Sequence, residues 1–266
     1  MSSFLEIFAC PVCRLSVSEV PRECDRCHNS FRNAFREEVN HYRQENSPII
    51  HLTQVSKEPE KVEVKPLRTE IFRSPIIPLF YERILPPIWA MGLRNFGGIN
   101  REVEAVKEFF GGSLKIVADV SCGSGLMARR LAQSGCYEQI VAVDYSESML
   151  RSLQVYLKAE QISEPIAIVQ ADVEALPFQP NSFDAIYSGA AIHCWPDPLK
   201  GLTNIYQVLR SGGKLFATTF LKPLPSIVFR FFTPQELKEI FTKSGFDENA
   251  IEIECQGVYA TIKSVK

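Results

Sequence analysis

Two sets of residues in this chain have the types and spacing for chemistry. The first is Cys10-Pro11-Val12-Cys13 followed, after ten residues, by Cys24-Asp25-Arg26-Cys27. Each C-x-x-C turn presents two thiolates to one tetrahedral metal, and four sulfurs make a closed, structural zinc site. A module of about 40 residues buries too little surface to fold alone, so Zn2+ bound by Cys10, Cys13, Cys24 and Cys27 would supply its stability. Redox chemistry is the competing use of such pairs, and their duplication on loops argues against it. His28, beside the last cysteine, offers a substitute for one sulfur. Cys122, Cys136, Cys194 and Cys255 are scattered and read as packed thiols.

The second set is three carboxylates, each at the end of an apolar run. Val117-Ala118 leads to Asp119, and Val120-Ser121-Cys122-Gly123-Ser124-Gly125 follows as a Gly-x-Gly turn. Residues 140–143 end in Asp144, and 166–171 end in Asp172. An open α/β sheet binds its ligand outside the carboxyl ends of its strands, where these acids would stand. Ala128, three residues after Gly125, satisfies the looser form of the dinucleotide fingerprint, so spacing leaves that ligand open. Charge separates the alternatives. Asp119 beside the turn would repel a pyrophosphate and attract an ammonium or sulfonium. S-adenosylmethionine carries both cations and no phosphate. A strand-end Asp often merely caps the next helix, but three in register favour a ligand.

Periodicity supplies the elements that would hold these residues. Strands are predicted at 114–119, 139–144, 166–171, 183–188 and 213–220. Helices are predicted at 126–134 and 146–158, the second capped by Ser146. Leu199, Leu202, Ile205, Tyr206 and Leu209 recur at helical spacing before a Gly212-Gly213 stop. Thr233-Pro234-Gln235-Glu236 is a capping box with Pro at the first helical position, and Gly245 closes that helix. Residues 251–255 and 258–262 predict two strands meeting near Gln256-Gly257. Repeated βα units predict an α/β, Rossmann-like fold, mostly parallel with one antiparallel edge strand.

Composition divides the rest. Residues 1–45 form the zinc-ribbon-like module, and 46–69, charged and punctuated by Pro59 and Pro66, read as a linker. Residues 70–112 are aromatic and aliphatic but broken by prolines at 75, 78, 86 and 87, which predicts a helical cap. Residues 113–266 form the ligand-binding domain. The net charge of −2 gives no global basic field of the kind that advertises nucleic-acid binding. No apolar run reaches the roughly 18 residues of a membrane span. Met1 to Leu5 runs straight into the cysteine motif, so no leader is expected, and eight cysteines outside a secreted context predict reduced thiols. The expected setting is soluble and intracellular, cytoplasmic or plastid, and the oligomeric state is not legible.

Residues 113–266 resemble the class I S-adenosylmethionine-dependent methyltransferases. The resemblance rests on Asp119 to Gly125, Val141 to Leu150, Gln170 to Phe178, Phe183 to Pro198 and Gln207 to Gly213. It implies that Asp119 serves the donor's amino group and that Gly123 and Gly125 let the backbone approach. Asp144 would hold the ribose hydroxyls, with Tyr145 and Met149 lining the adenine pocket. Asp172 would accept from the adenine amine while the Val173 amide reaches the ring, and Ser188 and Gly189 would lie beside the methyl. Ser121 departs from the family, standing where its first glycine usually is, and is expected to crowd or hydrogen-bond the methionine moiety without abolishing binding. With the cysteine module included, the chain resembles bacterial ribosomal RNA guanine methyltransferases and, more closely, plant and algal plastid methyltransferase-like proteins. The closer match is carried by Glu70 to Pro75, Leu79 to Arg83, Asp119 to Leu126 with Ser121 included, Val143 to Ser146 and Gly189 to Pro196. Plant members carry transit extensions, and none is expected here.

Methyl transfer from a sulfonium mainly requires alignment and exclusion of water. A base is needed only for a hydroxyl, a protonated amine or an acidic carbon. His193, just after the fourth predicted catalytic-sheet strand, is the histidine placed for that work, and a pocket or lid role is the plainer alternative. Trp195 beside it could stack on a flat acceptor. Two functions follow: methylation of a small-molecule, lipid or quinone-like acceptor, or methylation of ribosomal RNA gripped by the zinc module. The arginines of the module, Arg14, Arg22, Arg26, Arg32, Arg36 and Arg43, are nearly matched by acids, which favours the small acceptor.

Overall fold

The computed structural model describes residues 7–8, 49–51 and 98–266, apart from 113, 165 and 223–228. The cysteine quartet, residues 52–69 of the expected linker and residues 70–97 of the expected cap lie outside the described residues.

The described elements are β1 (Ile49–His51), α1 (Gly98–Phe110), β2 (Leu114–Val120), α2 (Leu126–Gln133), β3 (Tyr137–Asp144), α3 (Glu147–Ala159), β4 (Ile166–Gln170), β5 (Phe183–Ser188), α4 (Pro198–Val208), β6 (Leu209–Phe220), α5 (Pro234–Lys243), β7 (Ile251–Gln256) and β8 (Tyr259–Val265). They form one sheet in the order β1-β4-β3-β2-β5-β6-β8-β7. All pairs are parallel except those of β8, which runs antiparallel to both β6 and β7. The antiparallel strand thus lies one place in from the edge, with β7 outside it.

The carboxyl-terminal halves of β2 and β3, with β4 and β5, are buried on both faces, as central parallel strands are. Alternate side chains divide into two cores. Val117, Ile140 and Ala142 pack with α1, α2 and α3 through Val106, Leu131 and Leu153. Ala118, Val141 and Val143 face the other way, where Leu202, Ile205, Leu237 and Phe241 bring α4 and α5 onto the sheet. The chain leaves β2 toward β3 and β4, then returns to pair β5 on the opposite side of β2. That reversal opens the crevice in which such sheets bind ligands.

Local signals behaved as the sequence predicts at both capped helices. The Ser146 hydroxyl accepts from the Met149 amide at the start of α3. Thr233 and Glu236 form the reciprocal capping box of α5. Three differences have tertiary causes. Leu209 and the Gly212-Gly213 pair belong to β6 and not to a helix stop, because Phe183 pairs with Leu209 before a bulge resets the register at Ala185 and Lys214. Ile49–His51, within the stretch expected to be a linker, add a parallel strand to β4. Phe8, from the stretch expected to be a separate module, is buried and bridges to Phe178, the two rings 5.3 Å apart. Among the described residues no helix is long and apolar enough to cross a membrane.

Candidate functional site

The cavity lies at the carboxyl ends of β2, β3, β4 and β5, where the sheet order reverses. Ser121 and Gly123 from the turn after β2, Asp144, Tyr145 and Met149 from the β3–α3 junction, Asp172 and Val173 after β4, and Gly189 after β5 all line it. Four predicted site residues do not line it: Asp119, Gly125, Ser188 and His193.

Asp144 and Asp172 are the charged residues in the wall, and no Lys, Arg or His lines the cavity among the described residues. Such a wall repels phosphates and suits a ligand bearing hydroxyls, amines and positive charge. Asp144 Oδ2 accepts from the Gly123 amide at 2.8 Å and Oδ1 from the Ser146 amide at 2.8 Å. The Tyr145 amide also bonds to this carboxylate; with about four lone-pair positions it keeps capacity to accept from a ligand hydroxyl. Burial pushes its acidity down, raising the pKa against the help of those amides. Asp172 Oδ1 accepts from the Glu174 amide at 3.0 Å, which caps a 3-10 turn over Val173–Ala175. Capping and ligand contact are therefore compatible uses of the same acid.

Asp119 is buried behind the turn. Its Oδ2 accepts from the Ala128 amide at 2.9 Å, the residue at the third-glycine position. Its Oδ1 is buried with no protein partner. Burial, and then the negative neighbours Asp144 and Glu102, push its pKa up to about 8. An unpartnered carboxylate oxygen in a dry site is costly, and a cationic ligand would satisfy it. The lining thus fits an adenosyl donor, with acids for a nucleoside and no cation to hold a phosphate among the described residues, while the unpartnered Asp119 Oδ1 lies just behind it.

Gly123 and Gly125 have φ of 56° and 74°. At Gly125 a Cβ would also lie 2.5 Å from Leu153 Cδ1. Gly125 therefore serves the close packing of α2 on α3 and not the cavity wall. The Ser188 hydroxyl turns away and donates to the Val120 carbonyl at 2.9 Å, tying β5 to β2.

His193 is also turned away. Its ring is buried among Phe220, Phe229 and Phe231 at centroid distances of 5.3, 5.4 and 5.7 Å, and Nδ1 lies 3.2 Å from Thr219 Oγ1. Desolvation lowers its pKa to about 4, so the ring is neutral and weakly basic. The residue before Trp195 in the cavity wall is Cys194, and the indole Nε1 of Trp195 donates to Ser121 Oγ at 2.9 Å. The Ser121 hydroxyl is thus engaged by protein.

One cluster escaped the sequence reading. Glu102 of α1 accepts from the Tyr187 hydroxyl at 2.7 Å and lies 3.4 Å from the Thr218 and Tyr259 hydroxyls. Desolvation raises its pKa. The Tyr187 hydroxyl occupies the place a Cβ on Gly189 would take, so this cluster backs directly onto the cavity wall. Only the amphipathic pattern of α1, with Glu102 next to buried Val103, hinted at it.

A family model described as "Methyltransferase domain" matches residues 118–217. An uncharacterized chloroplastic methyltransferase of Arabidopsis thaliana is 35% identical over 91% of this chain and 74% of its own length. A ubiquinone/menaquinone biosynthesis C-methyltransferase of Serratia proteamaculans is 35% identical over 41% of this chain and 43% of its own. A crystallised candidate S-adenosylmethionine-dependent methyltransferase of Methanococcus maripaludis shares the fold, with a TM-score of 0.56, 20% identity and coverage of 80% of this chain and 97% of its own. The chain belongs to the class I S-adenosylmethionine-dependent methyltransferases. The likeness to the Arabidopsis protein extends well outside the matched domain, into the residues ahead of the sheet.

Proposed function

We propose that this protein transfers the donor's methyl group to a small, flat, apolar acceptor of the lipid or quinone kind. The observation that carries this reading is a group of half-buried aromatic rings at the end of the sheet where the cavity opens. Phe220, Phe229 and Tyr259 are only half-buried, at the same end of the sheet as Gly189 and Ala190. A flat apolar ring gains from such surfaces by burial and by edge or offset stacking. The likeness to a quinone C-methyltransferase supports the same class.

The bound donor supplies a methyl already activated as a sulfonium. The chain's work is to hold Asp144 and Asp172 for the nucleoside, to offer Asp119 Oδ1 to the ammonium, and to keep water out with apolar walls. Glu102 is the candidate base for a phenolic acceptor, since a desolvated carboxylate linked to two tyrosine hydroxyls can take a proton that Tyr187 relays. His193 then packs behind these rings, as a neutral ring among phenylalanines. Cys10, Cys13, Cys24 and Cys27 are proposed to hold one structural Zn2+, a donor set chemically suited to it. The relatives' chloroplastic assignment makes a plastid the proposed compartment.

The test is transfer of tritiated methyl from labelled donor into separated lipid, metabolite and RNA fractions. Label in an apolar aromatic product is expected. Label confined to ribosomal RNA would replace this reading with the base-methylating one.

A further inference from the structure

Ser121 adopts φ of 61°, a left-handed backbone that glycine enters freely and serine does not. Four described non-glycine residues have positive φ, and two of them, Ser121 and Ala190 at φ 48°, line this one cavity. Backbone strain of this kind persists where the surrounding structure enforces it, and it gathers at functional sites. Both residues are held by hydrogen bonds across chain segments. The Trp195 indole donates to Ser121 Oγ at 2.9 Å, and the Ala190 amide donates to Thr218 Oγ1 at 2.9 Å.

The indole has little freedom of its own. Trp195 is 4% exposed, and its ring lies so close to α4 that a Cβ on Gly201 would stand 2.8 Å from it. Its N–H must therefore find an acceptor in the cavity wall, because a buried donor without one is costly. A glycine at 121 would relieve the backbone and leave that donor facing the ligand space.

We infer that Ser121 stands in place of glycine as the acceptor for Trp195, and that this pair latches the 189–196 segment to the turn after β2. The latch sets the wall of the donor cavity before the ligand arrives, so ligand binding need not order it. It makes Ser121 and Trp195 positioning residues for the donor. The inference rests on the reading of this cavity as the adenosyl-donor site.

Calorimetric titration of the full chain with adenosylhomocysteine, paired with melting temperature in its absence, tests the latch. Ser121→Gly is expected to raise Kd about three- to tenfold, the weight of one net hydrogen bond, while the empty protein melts no lower than wild type. Trp195→Phe should raise Kd similarly, and the double variant should bind no worse than the weaker single one. Should Trp195→Phe fail to fold, Ser121→Gly alone decides through the split between affinity and melting. Unchanged affinity in Ser121→Gly, or a loss of affinity matched by a lower melting temperature, would overturn the latch while wild-type binding stands. Absence of any wild-type binding would instead overturn the donor-site reading and the latch with it.

Discussion

The Gly123 amide donates to Asp144 Oδ2, so the acid that ends β3 also fixes the glycine turn that follows β2. One carboxylate therefore shapes both the turn and this side of the cavity wall. The same acid takes the Ser146 amide at the start of α3.

Asp144→Asn removes the charge and puts a donor where backbone amides of Gly123, Tyr145 and Ser146 now point. Losing a charged hydrogen bond costs about 2 kcal/mol, or roughly 30-fold in affinity. Titration with adenosylhomocysteine should show that loss, and a donor analogue lacking the ribose hydroxyls should bind wild type and variant alike.

If Asp119 meets the donor's ammonium as proposed, donor binding depends on pH. Its pKa of about 8 in the empty site means that it is largely protonated at pH 6.5 and must ionise to meet an ammonium. Affinity for adenosylhomocysteine should rise between pH 6 and 8, with up to one proton released per ligand bound at the lower end. Calorimetry in buffers of different ionisation enthalpy reads this directly, and Asp119→Asn should abolish the proton release.

The same group biases stability. A carboxyl whose folded pKa is raised stabilises the fold most below its ordinary value of 3.8, and that contribution is lost as pH climbs through about 8. Between pH 5 and 8 the empty wild-type protein should lose stability relative to Asp119→Asn. Urea midpoints of the two proteins across that range will show the gap or its absence.

Glu102→Gln tests the acceptor side. General-base assistance is worth about 100-fold or more, so kcat should fall by that order while donor affinity stays within twofold. Because the Glu102 pKa is raised, the wild-type rate should climb with pH through a shifted carboxyl ionisation, and the variant should lose that limb. A purely structural role would lower the rate evenly at all pH values.

Metal content tests the four N-terminal cysteines. One zinc per chain is expected, and Cys10→Ser with Cys13→Ser should abolish it. Because Ile7, Phe8 and Ile50 are buried in the sheet domain's core, chelation should also lower the melting temperature of the whole protein.

Sequence alone determined what local chemistry dictates. Apolar runs and their terminal acids gave the strands and the row of carboxylates, since the period of a strand and the end of an apolar run are properties of neighbouring residues. The caps at Ser146 and Thr233 were legible for the same reason, each being a bond between residues three apart. Charge at Asp119 was enough to favour a cationic donor before any geometry was known.

Only the tertiary structure decided where side chains meet and which way they turn. The three-residue β1 has too few residues to show a period, and its partner in β4 lies more than a hundred positions on. Glu102 gains its meaning from hydroxyls 85, 116 and 157 residues away. Ser188 and His193 end up away from the cavity because position beside a strand end does not fix the direction of a side chain, which packing against Val120 and three phenylalanines does. Ser121 stood out in the sequence only as a departure beside the ligand, and the fold adds that its hydroxyl accepts from Trp195.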